Sequence, residues 1–237
     1  MKDMLDLFRQ KKQPPFTVDR SALIADAHYV VIDTELTGLS ERRDSIISIG
    51  AIRMVGTRID LGGRFHQFVK PETKFEPDSV VIHGITPSDV LEKPNIDTIL
   101  CDFIDFCGDD IIVGHCVFID MGFIDRDTRR ICGSTMQNPV IDTFRIYEWL
   151  QKRVSHRPCF SSVPKEVGLY QIAKCFGIPV RGAHDALMDA FITAQLLQRF
   201  IPVIIDVGVK HIGDLLTLGH PSEGGDKSRV SSEISNF

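Results

Sequence analysis

The 237-residue chain has no closely spaced pair of cysteines. Its six cysteines stand at positions 101, 107, 116, 132, 159 and 175. Because structural zinc sites and thiol redox motifs use cysteines of the CxxC type, this spacing argues against both classes. We expect reduced thiols that pack as small apolar side chains, as at Cys101 and Cys107 within a helical apolar pattern.

Signals for secretion and for membrane insertion are also missing. The amino-terminal letters MKDMLDLFRQKK do not form a signal peptide, and no apolar run approaches the length of a membrane span. Hydrophobic residues make up 43% of the chain and charged residues 25%, which is typical of an ordinary globular protein. The sequence therefore predicts a cytoplasmic protein with one sizeable domain.

The chain has no excess of positive charge. It contains 27 Lys and Arg against 32 Asp and Glu, for a net charge of -5. Since phosphate neutralisation dominates the affinity of a broad basic surface, this balance argues against that class of nucleic-acid binder. It does not exclude an enzyme in which bound metal ions supply the positive charge at one site.

The first half of the domain is rich in β patterns. The runs YVVID, SIISIGAIRMV and RFHQFVK begin at positions 29, 45 and 64, and polar or glycine-containing segments separate them. This arrangement predicts three antiparallel strands. A helical period follows in NIDTILCDFIDFC, and Asn95 is a suitable N-cap for that helix.

Strands and helices alternate in the second half. DIIVGH and PVIDT are predicted strands, and helices are predicted over about 118 to 132 and in FRIYEWLQKR, GLYQIAKCFG and HDALMDAFITAQLLQRF. The order indicates an α/β fold with a mixed central β-sheet and helices on both faces. We assign 1–27 to an N-terminal extension, 28–203 to the domain, and 204–237 to a C-terminal tail that is largely disordered after about 221.

Two carboxylates, Asp33 and Glu35, end the first predicted strand. Because side chains alternate along a strand, both point to one face while Thr34 points to the other. Neighbouring like charges persist when a cation or a shared proton offsets their repulsion, and hard divalent ions such as Mg²⁺ take oxygen ligands. The alternative is that the strand has ended and both acids are solvated loop residues.

Further candidate residues follow later strands. Asp120 falls in the first helical turn after IIVGH, at a strand's carboxyl end where ligands collect in open α/β sheets. His184 and Asp189 are five residues apart and would face one site only if His184 precedes the helix; otherwise His184 is a capping or surface histidine and Asp189 a solvated acid. Asp185 is explained by the helix dipole, and we leave it outside the site.

Three motifs, VVIDTELTG, VGHCVFIDMGFI and AHDALMDAFITAQLL, occur in this order on a strand, a strand-to-helix turn and a helix. In this combination the chain resembles the DEDDh 3′-to-5′ exonucleases, above all the proofreading epsilon subunits of bacterial DNA polymerase III. VIHGIT, at 81–86, is similar to a further element of that family. The resemblance covers about residues 29 to 202.

The resemblance implies a ribonuclease H-like fold and two divalent metal ions, Mg²⁺ or Mn²⁺. Asp33 would touch both ions, Glu35 and Asp189 would complete one site, and Asp120 would support the other through water. His184 would be the general base. Independently, paired metal ions suit in-line displacement at phosphorus, and an unperturbed histidine pKa of about 6.5 suits proton removal near neutral pH.

The resemblance also implies a substrate and partners. The enzyme would release nucleoside monophosphates from the 3′ end of single-stranded DNA in proofreading or repair, and a DNA polymerase subunit is a possible partner. The expected contacts with the terminal nucleotide are Leu36, Thr37, Ile82 and His83. A 3′-to-5′ exoribonuclease acting on short or structured RNA ends is the alternative, because no residue indicates a contact to the 2′-hydroxyl.

The second motif departs from the family at two positions. The family usually has Asn directly after the histidine, where this chain has Cys116, and Phe or Tyr before the aspartate, where it has Ile119. A thiol is a weak hydrogen-bond donor where Asn offers a strong one. We therefore expect activity with an altered substrate preference.

Two other functions fit parts of the sequence. VVIDTELT is also similar to the DxDxT motif of haloacid dehalogenase phosphatases, but Glu35 stands where that family has Asp, and little room remains for the helix that should follow. A nucleic-acid-binding or polymerase-tethering module with a degraded site is opposed by the intact acids and His184. The basic clusters RDTRR, at 126–130, and KRVSHR, at 152–157, are interpreted as solvated helix faces.

Overall fold

A computed structural model of the chain describes residues 17–73, 77–161 and 168–221. Five strands form one mixed sheet in the order β3-β2-β1-β4-β5. The strands are β1 (His28–Leu36), β2 (Ile46–Val55), β3 (Arg58–Phe68), β4 (Ile111–Gly114) and β5 (Val140–Asp142). The pairs β1–β2 and β2–β3 are antiparallel, whereas β1–β4 and β4–β5 are parallel. The predicted mixed sheet is confirmed.

The helices of the described residues are α1 (Pro77–His83), α2 (Pro87–Val90), α3 (Ile96–Cys107), α4 (Phe118–Cys132), α5 (Thr143–Arg153), α6 (Pro158–Ser161), α7 (Leu169–Cys175), α8 (Ala186–Asp206) and α9 (Ile212–Leu218). The predicted helices correspond to α3, α4, α5, α7 and α8. Asn95 caps α3 as predicted, because its side chain accepts a hydrogen bond from the Thr98 N–H at 3.3 Å. Sequence periodicity did not predict the short helices α1, α2, α6 and α9.

Each face of the sheet is covered by a separate apolar layer. Val31 of β1 packs in the layer formed with α5 and α8, and Ile32 packs in the layer formed with α3 and α4. Alternation along β1 accounts for this division, since successive side chains enter opposite layers. Helices therefore lie on both faces, as predicted.

Helix α8 is long and apolar enough to cross a membrane by length and composition. This corrects the expectation that no apolar run approaches that length. The helix is the central core helix of one layer, where Ala190, Leu197 and Phe200 are fully buried. Burial against a sheet explains its apolar character.

Segments on both sides of the predicted 28–203 domain pack onto it. The Ile24 N–H donates to the Lys210 carbonyl and the Ile212 N–H to the Ala22 carbonyl, both at 2.9 Å. Ile212 and Leu215 of α9 are buried. The packed unit thus extends past both predicted boundaries, while residues 1–16 and the predicted disorder of 222–237 lie outside the described residues.

Candidate active site

Three carboxylates meet at the carboxyl end of β1. Asp33 and Glu35 lie on the sheet face covered by α8, and Asp189 projects from the first turn of that helix. One ligand oxygen from each residue lies within 4.8 Å of the other two. The predicted same-side placement of Asp33 and Glu35 therefore brings them to Asp189.

A glycine in β2 allows this approach. Gly50 pairs with Asp33 across the antiparallel ladder, and a Cβ atom placed on Gly50 would lie 2.2 Å from the backbone of Ala186 and Leu187. The start of α8 therefore rests directly on the β2 backbone. Only a residue without a side chain permits that contact, so Gly50 sets the distance between Asp189 and the acids of β1.

Asp120 reaches the site from the opposite layer. It lies in the first turn of α4 and is 7% exposed. Thr34, which points away from Asp33 and Glu35, donates its hydroxyl to Asp120 Oδ1 at 2.6 Å. Asp120 is near enough for its charge to raise the pKa of Asp33. The site thus joins the two layers at the edge where β1 ends.

These acids are not balanced by positive side chains. Burial raises the pKa of Asp33 and of Glu35 well above the usual range, and repulsion between the clustered acids adds to both shifts. Burial also raises the pKa of Asp120 to about 7 and that of Asp189 to about 6, with hydrogen bonds opposing each shift. Among the described residues, no lysine or arginine forms an ion pair with these four acids.

His184 lies before α8, as the sequence analysis required. Asp185 is the N-cap of that helix and accepts a hydrogen bond from the Met188 N–H at 3.0 Å. This placement agrees with the explanation of Asp185 by the helix terminus. Its charge also raises the pKa of Asp33 and Glu35. His184 has a left-handed backbone with φ 62°. Burial lowers the pKa of its imidazole, which keeps the ring neutral near pH 7.

The Tyr170 hydroxyl connects His184 to Asp189. It donates to Asp189 Oδ2 at 2.6 Å and accepts from the His184 N–H at 2.8 Å. The His184 N–H also lies 3.0 Å from Asp189 Oδ2. Burial, followed by the charge of Asp189, raises the pKa of Tyr170, so the hydroxyl keeps its proton and remains a donor.

The predicted substrate contacts lie in different surroundings. His83 lies close to His184: burial lowers the pKa of His83, the charge of His184 lowers it further, and a hydrogen bond with the Leu36 backbone opposes both effects. The side chain of Ile82 is outside the described structure. Thr37 is fully buried, and its hydroxyl accepts from the Ser45 N–H at 2.9 Å. The Thr37 side chain therefore orders the loop after β1, and its contact with the terminal nucleotide stays a prediction.

Cys116, which stands where the resemblance leads us to expect Asn, has a left-handed backbone. Its φ is 53°, in the left-handed region where Asn is enriched among non-glycine residues. Its N–H donates to Asp142 Oδ1 at 3.0 Å, and the same oxygen accepts from the Phe144 N–H at 2.9 Å. Asp142 thus fixes the turn that leads into α4 and Asp120.

The basic clusters are engaged in the fold. Arg126 donates to the backbone carbonyls of Glu41 and of Asp44, the latter at 2.8 Å, and Arg130 pairs with Asp97 at 2.8 Å. Arg153, from the second cluster, lies over the Trp149 ring at 4.1 Å. The structure therefore assigns these arginines to packing and ion pairs rather than to solvated helix faces, and the second cluster extends past the end of α5 at Arg153.

Sequence reasoning missed four residues that position this site: Thr34, Gly50, Asp142 and Tyr170. Asp142 had a local signal, since an aspartate at the end of a strand and before a helix is a typical N-cap. The other three act through contacts with residues distant in the sequence, and no local pattern reveals them.

Comparison with known proteins identifies the family. An exonuclease family model, RNase T, matches residues 30–197. The chain belongs to this exonuclease family. The DNA polymerase III subunit epsilon of Aquifex aeolicus (strain VF5) is 31% identical over 215 residues, or 90% of this chain and 98% of that protein. The PolC-type DNA polymerase III of Thermotoga maritima is 33% identical over 190 residues, but this chain spans only 13% of its length.

Solved structures show the same fold. E. coli exonuclease I in complex with a dT13 oligonucleotide has a TM-score of 0.62 at 21% identity, over 76% of this chain and 43% of that chain. Exonuclease X in complex with 5′ overhanging duplex DNA has a TM-score of 0.57 at 22% identity, over 81% of this chain and 99% of that chain. These neighbours confirm the predicted ribonuclease H-like fold class.

The exonuclease family decides between the predicted classes of function. The chain is a nuclease, and exonucleases of this family depend on divalent metal ions, which the cluster of Asp33, Glu35 and Asp189 suits. The phosphatase alternative is wrong, because β1 leads into the antiparallel strand β2 and residues 37–45, all described, contain no helix. The expectation of an enzyme is confirmed.

Proposed function

We propose that this exonuclease removes nucleoside monophosphates stepwise from the 3′ end of single-stranded DNA in proofreading or repair. The observation that carries the proposal is the carboxylate cluster beside a neutral His184, in which Asp33 is half-buried and Glu35 and Asp189 are buried. The names of the relatives support DNA as substrate, since one is a DNA polymerase subunit and two structural neighbours are complexes with DNA. Association with a DNA polymerase is part of the same proposal.

The residues at this site fit divalent cations. Asp189 Oδ1 is buried and has no hydrogen-bond partner among the described residues, and unbalanced carboxylates with raised pKa values favour a bound cation or proton. Asp33, Glu35 and Asp189 would hold one Mg²⁺ or Mn²⁺, and Asp33 with Asp120 would hold a second. When bound, such ions supply Lewis acidity toward water and toward the phosphate oxygens.

The side chains around the acids have separate tasks. His184 accepts the proton of the attacking water, because its lowered pKa leaves the imidazole neutral at working pH. His83, which is close to His184 and is joined to the Leu36 backbone by a hydrogen bond, contacts the terminal nucleotide together with Leu36. Thr34 holds Asp120 at the edge of the site.

The test offers purified protein three substrates: 5′-labelled single-stranded DNA, the RNA of equal sequence, and a generic phosphatase substrate. Each is incubated with Mg²⁺, Mn²⁺ or chelator. We expect a ladder of DNA products shortened from the 3′ end, dependent on metal and absent for Asp33→Ala with its fold retained. A ladder from RNA alone would support the exoribonuclease alternative, and DNA cleavage by Asp33→Ala at normal rates would refute the assigned site.

A further inference from the structure

Tyr170 contacts both of the elements on which the proposed chemistry depends. It lies in α7, outside the three motifs that carry the family resemblance. Its hydroxyl bridges the Asp189 carboxylate and the His184 backbone, at 2.6 and 2.8 Å. A single oxygen atom thus joins the proposed metal ligand to the proposed general base.

The direction of the bond to Asp189 matters for a metal. The Tyr170 hydroxyl and the His184 N–H both address Oδ2 of that carboxylate. Oδ1 is left buried without a hydrogen bond among the described residues. Since one oxygen is held by the protein, the carboxylate cannot rotate freely, and a ligand oxygen of Asp189 lies within 4.8 Å of those of Asp33 and Glu35.

The contact with His184 matters for the base. His184 has φ 62°, a conformation that costs free energy for a residue with a side chain and persists when its surroundings enforce it. Tyr170 supplies two restraints: the hydrogen bond from the His184 N–H, and an edge-to-face ring contact with centroids 5.2 Å apart and planes at 90°.

We propose that Tyr170 is a positioning residue that orients Asp189 toward the metal and holds His184 in its left-handed conformation. The inference rests on the proposed roles of Asp189 and His184. Outer-shell partners of metal-binding carboxylates typically contribute 10- to 100-fold to metal affinity or activity. Tyr170 acts through those two residues and does not itself touch the substrate.

The chain's other two tyrosines show what a purely structural hydroxyl does here. Tyr29 donates to the Ile24 carbonyl at 3.1 Å, and Tyr147 donates to the Cys159 carbonyl at 3.3 Å. Both hydroxyls donate to backbone carbonyls within the core layer, and that of Tyr147 also accepts from Gln151 Nε2 at 3.3 Å. Tyr147→Phe is therefore a matched control, because it removes one tyrosine hydroxyl from the same layer without touching the acids.

The experiment measures Mn²⁺ binding by electron paramagnetic resonance, together with kcat and KM on single-stranded DNA, for wild type, Tyr170→Phe and Tyr147→Phe. We expect Tyr170→Phe to bind Mn²⁺ about 10- to 100-fold more weakly and to lose kcat by at least about 10-fold with little change in KM. Tyr147→Phe should stay within about twofold of wild type in Mn²⁺ affinity and kcat.

The outcomes separate this inference from the proposed function. Wild type that neither binds Mn²⁺ nor shortens DNA would refute the proposed function. Wild type that does both, with Tyr170→Phe equal to it in Mn²⁺ affinity and kcat, would overturn the role of Tyr170 alone. If Tyr170→Phe lowers the melting temperature, the Mn²⁺ affinity and kcat are measured at low temperature and scaled to the folded fraction from circular dichroism. An effect of lost packing on stability is then not counted as a loss of positioning.

Discussion

Helix α4 contains two buried aspartates whose surroundings are opposite. Asp127 pairs with Arg126 at 2.8 Å and with Arg130 at 3.5 Å. Asp120 lies about two turns earlier and accepts a hydrogen bond from the Thr34 hydroxyl. It forms no ion pair with an arginine among the described residues. Burial raises the pKa of Asp120 to about 7. One helix therefore neutralises a buried acid at one end and leaves another unbalanced at the other.

The contrast separates an acid held in ion pairs from the acids proposed to bind metal ions. Arg126 and Arg130 are available on the same helix, yet both lie around Asp127, where Arg126 also holds the carbonyls of Glu41 and Asp44. A buried carboxylate without a cation is costly, and the fold retains such acids together at the end of β1. Burial alone does not mark the site; a cluster of several acids without an ion pair among the described residues does.

Of the replacements within α4 and at the contact between β2 and α8, that of Asp120 should lower activity most. We expect Asp120→Asn to lower kcat/KM on the order of 10³-fold, as for loss of one preorganised electrostatic group. The free energy of unfolding in chelator at pH 8 should stay equal or rise by about 1 to 3 kcal/mol, because a buried charge is removed. Urea unfolding and initial cleavage rates measure the two quantities. A stability loss matching the activity loss would make Asp120 structural.

Gly50→Ala should break the site without touching an acid. The new Cβ would lie 2.2 Å from the Ala186 backbone, so α8 and Asp189 must move away from β1. A displacement of about 1 Å can cost roughly 10²-fold in rate, and overpacking typically costs about 1 to 3 kcal/mol of stability. Cleavage rates and urea unfolding measure both quantities.

Gly62→Ala is the matched control for Gly50→Ala. Gly62 lies in β3, where the nearest atom to a new Cβ is Asp60 Oδ1 at 3.4 Å. Its rate should equal that of wild type. Equal rates for Gly50→Ala and Gly62→Ala would mean that the distance between α8 and β1 does not limit catalysis.

Local patterns predicted the parts of the site that lie within one element. Alternation placed Asp33 and Glu35 on one face, and helical period gave α4 its observed bounds, with Asp120 in the first turn. The sequence did not reveal Tyr170 or Gly50, because each matters through a residue more than a dozen positions away. The pairing of Leu23 with His211 was hidden for the same reason, since these residues lie on either side of the predicted domain.

Replacing Asp127 should affect stability and leave the chemistry unchanged. We expect Asp127→Asn to lower the free energy of unfolding by about 1 to 3 kcal/mol, because two arginines lose a charged partner. The partial exposure of both arginine side chains limits the cost. Urea unfolding measures the loss, and kcat/KM per folded molecule should match wild type. A rate as low as that of Asp120→Asn would remove the distinction between the two ends of α4.

His115 extends the comparison to a buried base. Its Nδ1 lies 2.9 Å from Thr143 Oγ1, its Nε2 has no hydrogen-bond partner among the described residues, and burial lowers its pKa to about 3. In the unfolded chain a histidine titrates near a pKa of about 6.5. As pH falls from about 6.5 toward 3, His115 therefore binds a proton in the unfolded state but not in the folded state, and the free energy of unfolding decreases.

The His115→Phe variant isolates the contribution of His115 to the pH dependence of stability. The clustered acids have raised pKa values, so their protonation at low pH raises stability. Because this gain is the same in wild type and variant, it cancels in the difference between their free energies of unfolding. Between pH 7.5 and pH 5.0, wild type should lose about 1 to 2 kcal/mol more stability than His115→Phe, measured by urea unfolding in chelator. A difference independent of pH would show that His115 has the same pKa in the folded and the unfolded chain, so that the folded protein takes up a proton at this buried group as readily as the unfolded chain does.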